Sequence, residues 1–185
     1  MSGEDLVRFG SPTLAGLKTG SLMSCPYDSK SETLAQIRLL NNILVPKGLC
    51  LYPLKFGKLR VLVYLFRPKM LEKDLNNEKA MEILKKAGYT SMNYSMCMME
   101  LIKRLKNFEK TSFPHEIGLF LSYPPEDVEG FIENKAKDYK IIGTWKVYGD
   151  EVMAKKKFDS YKKCTDIYCK QWYRDTDLSR LAVKI

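Results

Sequence analysis

Residues 59–66 read LRVLVYLF, an apolar run interrupted only by Arg60 and rich in β-branched and aromatic side chains. Such a run, apolar on both faces, fits a buried central strand and needs a neighbour on each edge. Residues 49–56 (LCLYPLKF) form a second run, joined to the first by Gly57-Lys58. The pair therefore reads as a β-hairpin. Pro53 has no N–H to give to a ladder, which places the first strand nearer an edge.

Two further segments read as strands. Residues 116–122 (EIGLFLS) form a short buried run that Pro124-Pro125 ends, and residues 139–148 (YKIIGTWKVY) form another, broken near Gly143. Helical patterns fill the rest. Ser29 and Glu32 have capping-box spacing ahead of Leu34, Ile37, Leu40 and Leu44 on one face, and Pro46 and Gly48 end that helix. Residues 68–75 make a short helix. Asn77 caps the next, which Gly88 closes. Asn93 caps another whose stripe is Met98, Leu101, Ile102, Leu105 and Phe108. Met92, Met96, Met98 and Met99 gather there, as expected of flexible core filler. Pro124-Pro125 start a helix with Glu126 and Asp127 in its first turn, where carboxylates suit the helix dipole.

Gly149-Asp150 leads into a long last helix. At about 100° per residue, Ala154, Phe158, Tyr161, Tyr168, Cys169 and Trp172 share one face, and Lys155, Lys156, Lys162, Lys163 and Lys170 the other. The expected fold is α+β: one domain over residues 1–185, with a mixed sheet of about four strands covered by helices. An irregular N-terminal segment, residues 1–28, packs on it, and the basic helix closes the chain.

Composition narrows the function. The longest apolar run is far shorter than the roughly 20 residues of a spanning helix, and MSGEDLVRFG lacks the basic and apolar regions of a signal peptide. A cytoplasmic protein with no membrane partner is expected. Its five cysteines, Cys25, Cys50, Cys97, Cys164 and Cys169, are then expected as free thiols. Residues 135–174 hold eleven Lys or Arg against five Asp or Glu, giving +6 of the chain's net +9. A basic face of that kind suits an anionic ligand, nucleic acid or an acidic partner.

No glycine-rich phosphate fingerprint of the G-x-G-x-x-G or G-x-x-x-x-G-K-[ST] type occurs. His115 is the one histidine. With Glu116 it offers a proton-transfer pair. Candidate ligand-binding residues are Lys18, in the glycine-flanked stretch PTLAGLK, with Tyr123, Asp127, Trp145 and Lys146. With residues 116–122 extended, His115 and Tyr123 should lie about 25 Å apart. Two clusters are therefore expected: His115 and Glu116 with Lys18, and Tyr123 and Asp127 with Trp145 or Tyr148. Cys164, flanked by Lys162 and Lys163, is a candidate low-pKa thiol with Cys169 as its companion. The two lie about 140° apart on a helix and do not converge on one metal, so no metal site is indicated, and the residues name no cofactor.

Residues 114–132 (PHEIGLFLSYPPEDVEGFI) resemble the signature of a family of small bacterial proteins, mainly from anaerobic Gram-positive bacteria, catalogued as a domain of unknown function. Residues 12–18 (PTLAGLK), 145–150 (WKVYGD) and 162–172 (KKCTDIYCKQW) are similar to it too. The resemblance implies a cytoplasmic, full-length domain and no established activity. It also implies a His-Cys pair ahead of PTLAG, where this chain has Phe9 and Gly10. Three readings of function follow: a small-molecule- or anion-binding domain, enzymatic or not; a nucleic-acid or acidic-partner binder acting through the last helix, although no reading motif is present; and a thiol-based redox or metal-handling protein.

Overall fold

The computed structural model describes residues 2–91, 93–109, 112–174 and 177–185, so Met92 of the methionine cluster lies outside the described residues. The chain divides into two compact units, Met1–Lys69 with Tyr161–Ile185, and Met70–Ser160.

The first unit holds α1 (Gly3–Leu14), β1 (Gly20–Pro26), α2 (Lys30–Leu44), β2 (Cys50–Phe56) and β3 (Arg60–Phe66). The expectation of an irregular segment over residues 1–28 is thus corrected to a helix and a strand. Ser2 and Asp5 form a reciprocal capping box that starts α1. Pro12, which suggests a loop, sits inside the helix near its end. The end itself is a Schellman cap. Gly16 takes φ +78°, its N–H reaches Thr13 O, and the Leu17 N–H reaches Pro12 O at 2.8 Å.

The sheet is antiparallel, in the order β1-β3-β2. The hairpin and the central place of residues 59–66 hold, and Pro53 stands on an edge strand, but the first neighbour of β3 comes from residues 20–26. Leu54 is left unpaired between Pro53 and Lys55, where the register slips by one. The edge of β2 is blunted by Asn41 of α2. Its side-chain amide pairs with the N–H and C=O of Leu51 at 2.8 and 2.9 Å, as a neighbouring strand would. Val61, Val63 and Leu65 alternate along β3 and are fully buried with Leu6, Val7 and Leu14 of α1 and Ile37 and Leu44 of α2.

Arg67, buried just past β3, donates to Thr13 O, Leu14 O and Val183 O at 2.7–2.8 Å and to Lys47 O at 3.4 Å. It ties the last carbonyls of α1 to the C-terminal segment. Burial lowers its pKa from the ordinary arginine value.

The second unit is mostly helical: α4 (Glu78–Lys86), α5 (Tyr94–Asn107), α6 (Ile117–Phe120) and α7 (Pro125–Glu133), with a small hairpin of β4 (Ile141–Ile142) and β5 (Lys146–Val147). Most of α3 (Pro68–Leu75) belongs to it as well. The caps at Asn77 and Asn93 form as expected. Residues 116–122 are not a strand. Ile117, Leu119, Phe120 and Leu121 are all buried, and a short run buried on every side gives no period by which to tell strand from helix. Residues 139–148 supply only the two-residue strands. The single four-stranded mixed sheet is therefore corrected to a three-stranded antiparallel sheet and a separate two-stranded one.

The helix expected to be last, α8 (Glu151–Trp172), is followed by α9 (Leu178–Leu181). Asp150 caps α8, accepting from Val152 N and Met153 N. Ala154, Tyr161 and Cys164 are buried along it, while Lys155, Lys156, Lys162, Lys163 and Lys170 are exposed.

Candidate functional site

The second unit carries an open cavity of about 290 Å³ between α6, α7 and the β4–β5 hairpin. His115, Tyr123, Asp127, Trp145 and Lys146 all line it. Four candidates that the sequence divides between two clusters, together with Lys146, thus stand around one hollow. The expected separation of His115 and Tyr123 falls away because residues 117–120 coil into a helical turn. That turn is closed by a second Schellman cap, with Ser122 at φ +62°, Ser122 N on Leu119 O and Tyr123 N on Gly118 O.

Glycine at 118 is what lets α6 and α7 meet. A Cβ there would stand 2.8 Å from Val128 Cγ2 and 3.1 Å from Tyr123 Cδ2.

The hairpin wall is fixed by Asp127. Its buried carboxylate accepts three hydrogen bonds of 2.7 Å, from the Trp145 indole Nε1, Tyr148 N and Gly149 N. First-turn placement on α7 holds, but the larger task of this carboxylate is to orient Trp145. Gly149 permits the approach, since a Cβ there would lie 2.7 Å from Glu126 Cγ. Trp145 then stacks on Tyr123 at 4.9 Å between ring centroids, and Phe158 meets its other side edge-on at 4.5 Å. Burial raises the Tyr123 pKa, so its hydroxyl stays protonated and donates toward Thr144 O at 3.4 Å.

The opposite bank is a chain of rings. His115 lies 5.4 Å from Phe113 and 5.0 Å from Phe131. Both phenylalanines line the cavity. Sequence reasoning missed them; the signal that marked them is their position, Phe113 just ahead of PHEIG and Phe131 within EGFI. Lys146 reaches between the rings. Its ammonium donates to Ala136 O at 2.7 Å and lies 4.5 Å from the Tyr139 centroid and 6.0 Å from that of Phe131. The carbonyl it holds belongs to an unusual loop: Lys135, Ala136 and Asp138 take φ of +50°, +63° and +55°. With Ser122, these are the non-glycine residues of positive φ among the described residues. Left-handed backbone outside glycine gathers where surrounding structure enforces it, often at ligand sites.

Other candidates lie elsewhere. Glu116 is buried and turned from the cavity, accepting from the Tyr89 hydroxyl at 3.2 Å and pairing with Arg104 at 3.7 Å. His115 itself is exposed on a turn ahead of α6, not at a strand head. Lys18 belongs to the first unit. It is 8% exposed, its ammonium 5.9 Å from the Tyr161 centroid, and burial lowers its pKa to about 8. Cys164 does not have the lowered pKa expected beside two lysines. Those lysines point to solvent, and burial pushes the thiol up to about 11. Cys164 and Cys169 are also separated by about 7.5 Å of helical rise, beyond disulfide reach. No cluster of three or more metal-ligating side chains occurs among the described residues.

A family model matches residues 6–182, almost the full chain. The chain belongs to the family described as protein of unknown function, DUF3793. No curated protein and no solved structure matches it. No described helix is long and apolar enough to cross a membrane.

Proposed function

We propose that this is a cytoplasmic small-molecule-binding protein whose site is the aromatic cavity of the second unit. The observation that carries the reading is the convergence of His115, Tyr123, Asp127, Trp145 and Lys146 on one hollow of about 290 Å³. That volume stands at the lower end of the range for small-molecule sites, and an apolar lining with a few fixed polar groups is their usual chemistry. The polar groups divide in role. Asp127 has its carboxylate filled by three N–H donors and serves the wall. Lys146 and His115 face the ligand. The arrangement favours binding over catalysis, since the buried carboxylate nearest His115 in sequence, Glu116, is spent on Tyr89 and Arg104.

A fragment screen by two-dimensional NMR on isotope-labelled full-length protein tests this. Hits should shift the Trp145 indole N–H together with the Gly118 and Gly143 amides. Hits that move other regions and leave the Trp145 signal in place would sink the reading.

A further inference from the structure

We infer, resting on the small-molecule reading above, that the ligand is a planar aromatic monocarboxylate. The charge is read by Lys146. Lys146 is half-buried, and among the described residues its ammonium makes no ion pair. An ammonium carries three donors, and Ala136 O takes one of them. A cation withdrawn from water beside aromatic rings gains most from an anion that completes its hydrogen bonds.

A single negative charge fits better than two. The Asp127 carboxylate lines the same cavity, so a dianion such as a phosphate monoester would meet one cation and one anion. The N-terminal turn of α7 carries Glu126 and Asp127, which removes the helix end as a phosphate cradle.

The ring requirement comes from the walls. Tyr123, backed by Trp145 at 28° from parallel, stands on one bank, and His115 and Phe131, with rings tilted to each other, stand on the other. Stacked and tilted faces of this kind grip flat, conjugated ligands. Aromatic walls also suit quaternary ammonium groups, but here the Lys146 ammonium already lies over Tyr139 and Phe131 and would repel a second cation.

Isothermal titration calorimetry on the full chain decides among these chemistries, using indole-3-carboxylate, neutral indole-3-carboxamide and tetramethylammonium as probes. The carboxylate should bind about tenfold or more tighter than the amide. Lys146→Met should lower carboxylate affinity to that of the amide and leave the amide within about twofold, while Lys146→Arg, which keeps the charge, should retain most of the preference. Circular dichroism of both variants should match the parent. Equal affinity for acid and amide, an unchanged carboxylate affinity in Lys146→Met, or tightest binding of tetramethylammonium overturns the monocarboxylate assignment and leaves the cavity reading intact. Silence of all three probes, with NMR hits still at Trp145, overturns the assignment as well. Silence in both experiments removes the site itself.

Discussion

The two units use a basic side chain in opposite ways. In the first, Arg67 spends its donors on four backbone carbonyls and closes the end of α1 against the C-terminal segment. In the second, Lys146 gives one hydrogen bond to a carbonyl and faces a hollow lined with rings. Helix ends differ in the same sense. Gly16 and Gly48 supply the left-handed turns of the first unit, whereas Ser122 and Lys135 do so beside the cavity. One region satisfies itself with the residues that suit its backbone. The other holds polar groups and backbone in less relaxed states around an opening, and such places are where binding is expected.

The comparison is tested most severely at the two polar anchors. Arg67→Met should cost about 4 kcal/mol, because it removes four hydrogen bonds from a buried charged donor, although Thr13 O and Leu14 O keep the N–H groups of Gly16 and Val183. Asp127→Asn should cost about 3 kcal/mol: the amide cannot accept all three N–H groups and turns a donor toward one of them. Urea unfolding measures both. The variants should differ in ligand binding. Asp127→Asn frees the Trp145 indole and weakens binding of any cavity ligand, while Arg67→Met leaves binding unchanged wherever the protein remains folded. Equal loss of binding in both would erase the distinction between a self-satisfied anchor and a site wall.

Lys18 belongs with Arg67 as a buried cation of the first unit, and its titration gives the next largest effect. Burial lowers its pKa from the ordinary lysine value to about 8. Between the folded and unfolded values the unfolded chain binds more protons, so stability rises with pH across that window. Below pH 8 the charged folded form carries the full penalty. Lys18→Met should therefore stabilise by about 2 kcal/mol at pH 7, somewhat less than the shift implies because the contact over Tyr161 is lost with the ammonium. The gain should shrink as pH rises from 8 toward 10.5. Denaturant midpoints of parent and variant at pH 7 and pH 10 check it; a gain that does not depend on pH would mean that the ammonium is not desolvated.

Much of the first unit was legible in its sequence, and the reason is local chemistry. The hairpin at Gly57-Lys58, the central strand, the edge position of Pro53 and the cap at Ser29 each rest on residues within a few positions of one another. The caps at Asn77 and Asn93 in the second unit share that property. The third strand, residues 20–26, was hidden because GSLMSCP has weak alternation, and its strand character comes from pairing with residues 60–66. Helix α1 was hidden by Pro12, which its last turn accommodates. In the second unit the sequence picked out five residues that line the cavity but kept His115 apart from Tyr123, Asp127 and Trp145. One misread element, residues 116–122, moved His115 and Tyr123 apart on paper. Phe113 and Phe131 were missed because an aromatic ring near a motif looks the same whether it lines a core or a cavity.

The smallest expected effect is the sharpest test of the contrast between the helix ends. Lys135 occupies the position after the cap of α7: its N–H reaches Ile132 O, and Ala136 N reaches Phe131 O at 2.9 Å. That is the Schellman pattern completed in the first unit by Gly16. A side chain in left-handed backbone costs roughly 1–2 kcal/mol. Glycine removes that cost and adds about 0.5–1 kcal/mol of unfolded-state entropy. Lys135→Gly should therefore stabilise by about 0.5 kcal/mol. The reverse change in the first unit, Gly16→Ala, meets the backbone cost and also places a Cβ 2.0 Å from Ile185 Cδ1, at the end of a flexible side chain that can move; it should destabilise by about 1–2 kcal/mol. Stability gained at Lys135 should be paired with faster hydrogen exchange at the Lys137 amide, which donates to Asn134 O, since glycine loosens the loop whose Ala136 carbonyl holds Lys146. If Lys135→Gly is neutral and that exchange does not change, the left-handed residues beside the cavity store nothing, and the two units differ in sequence alone.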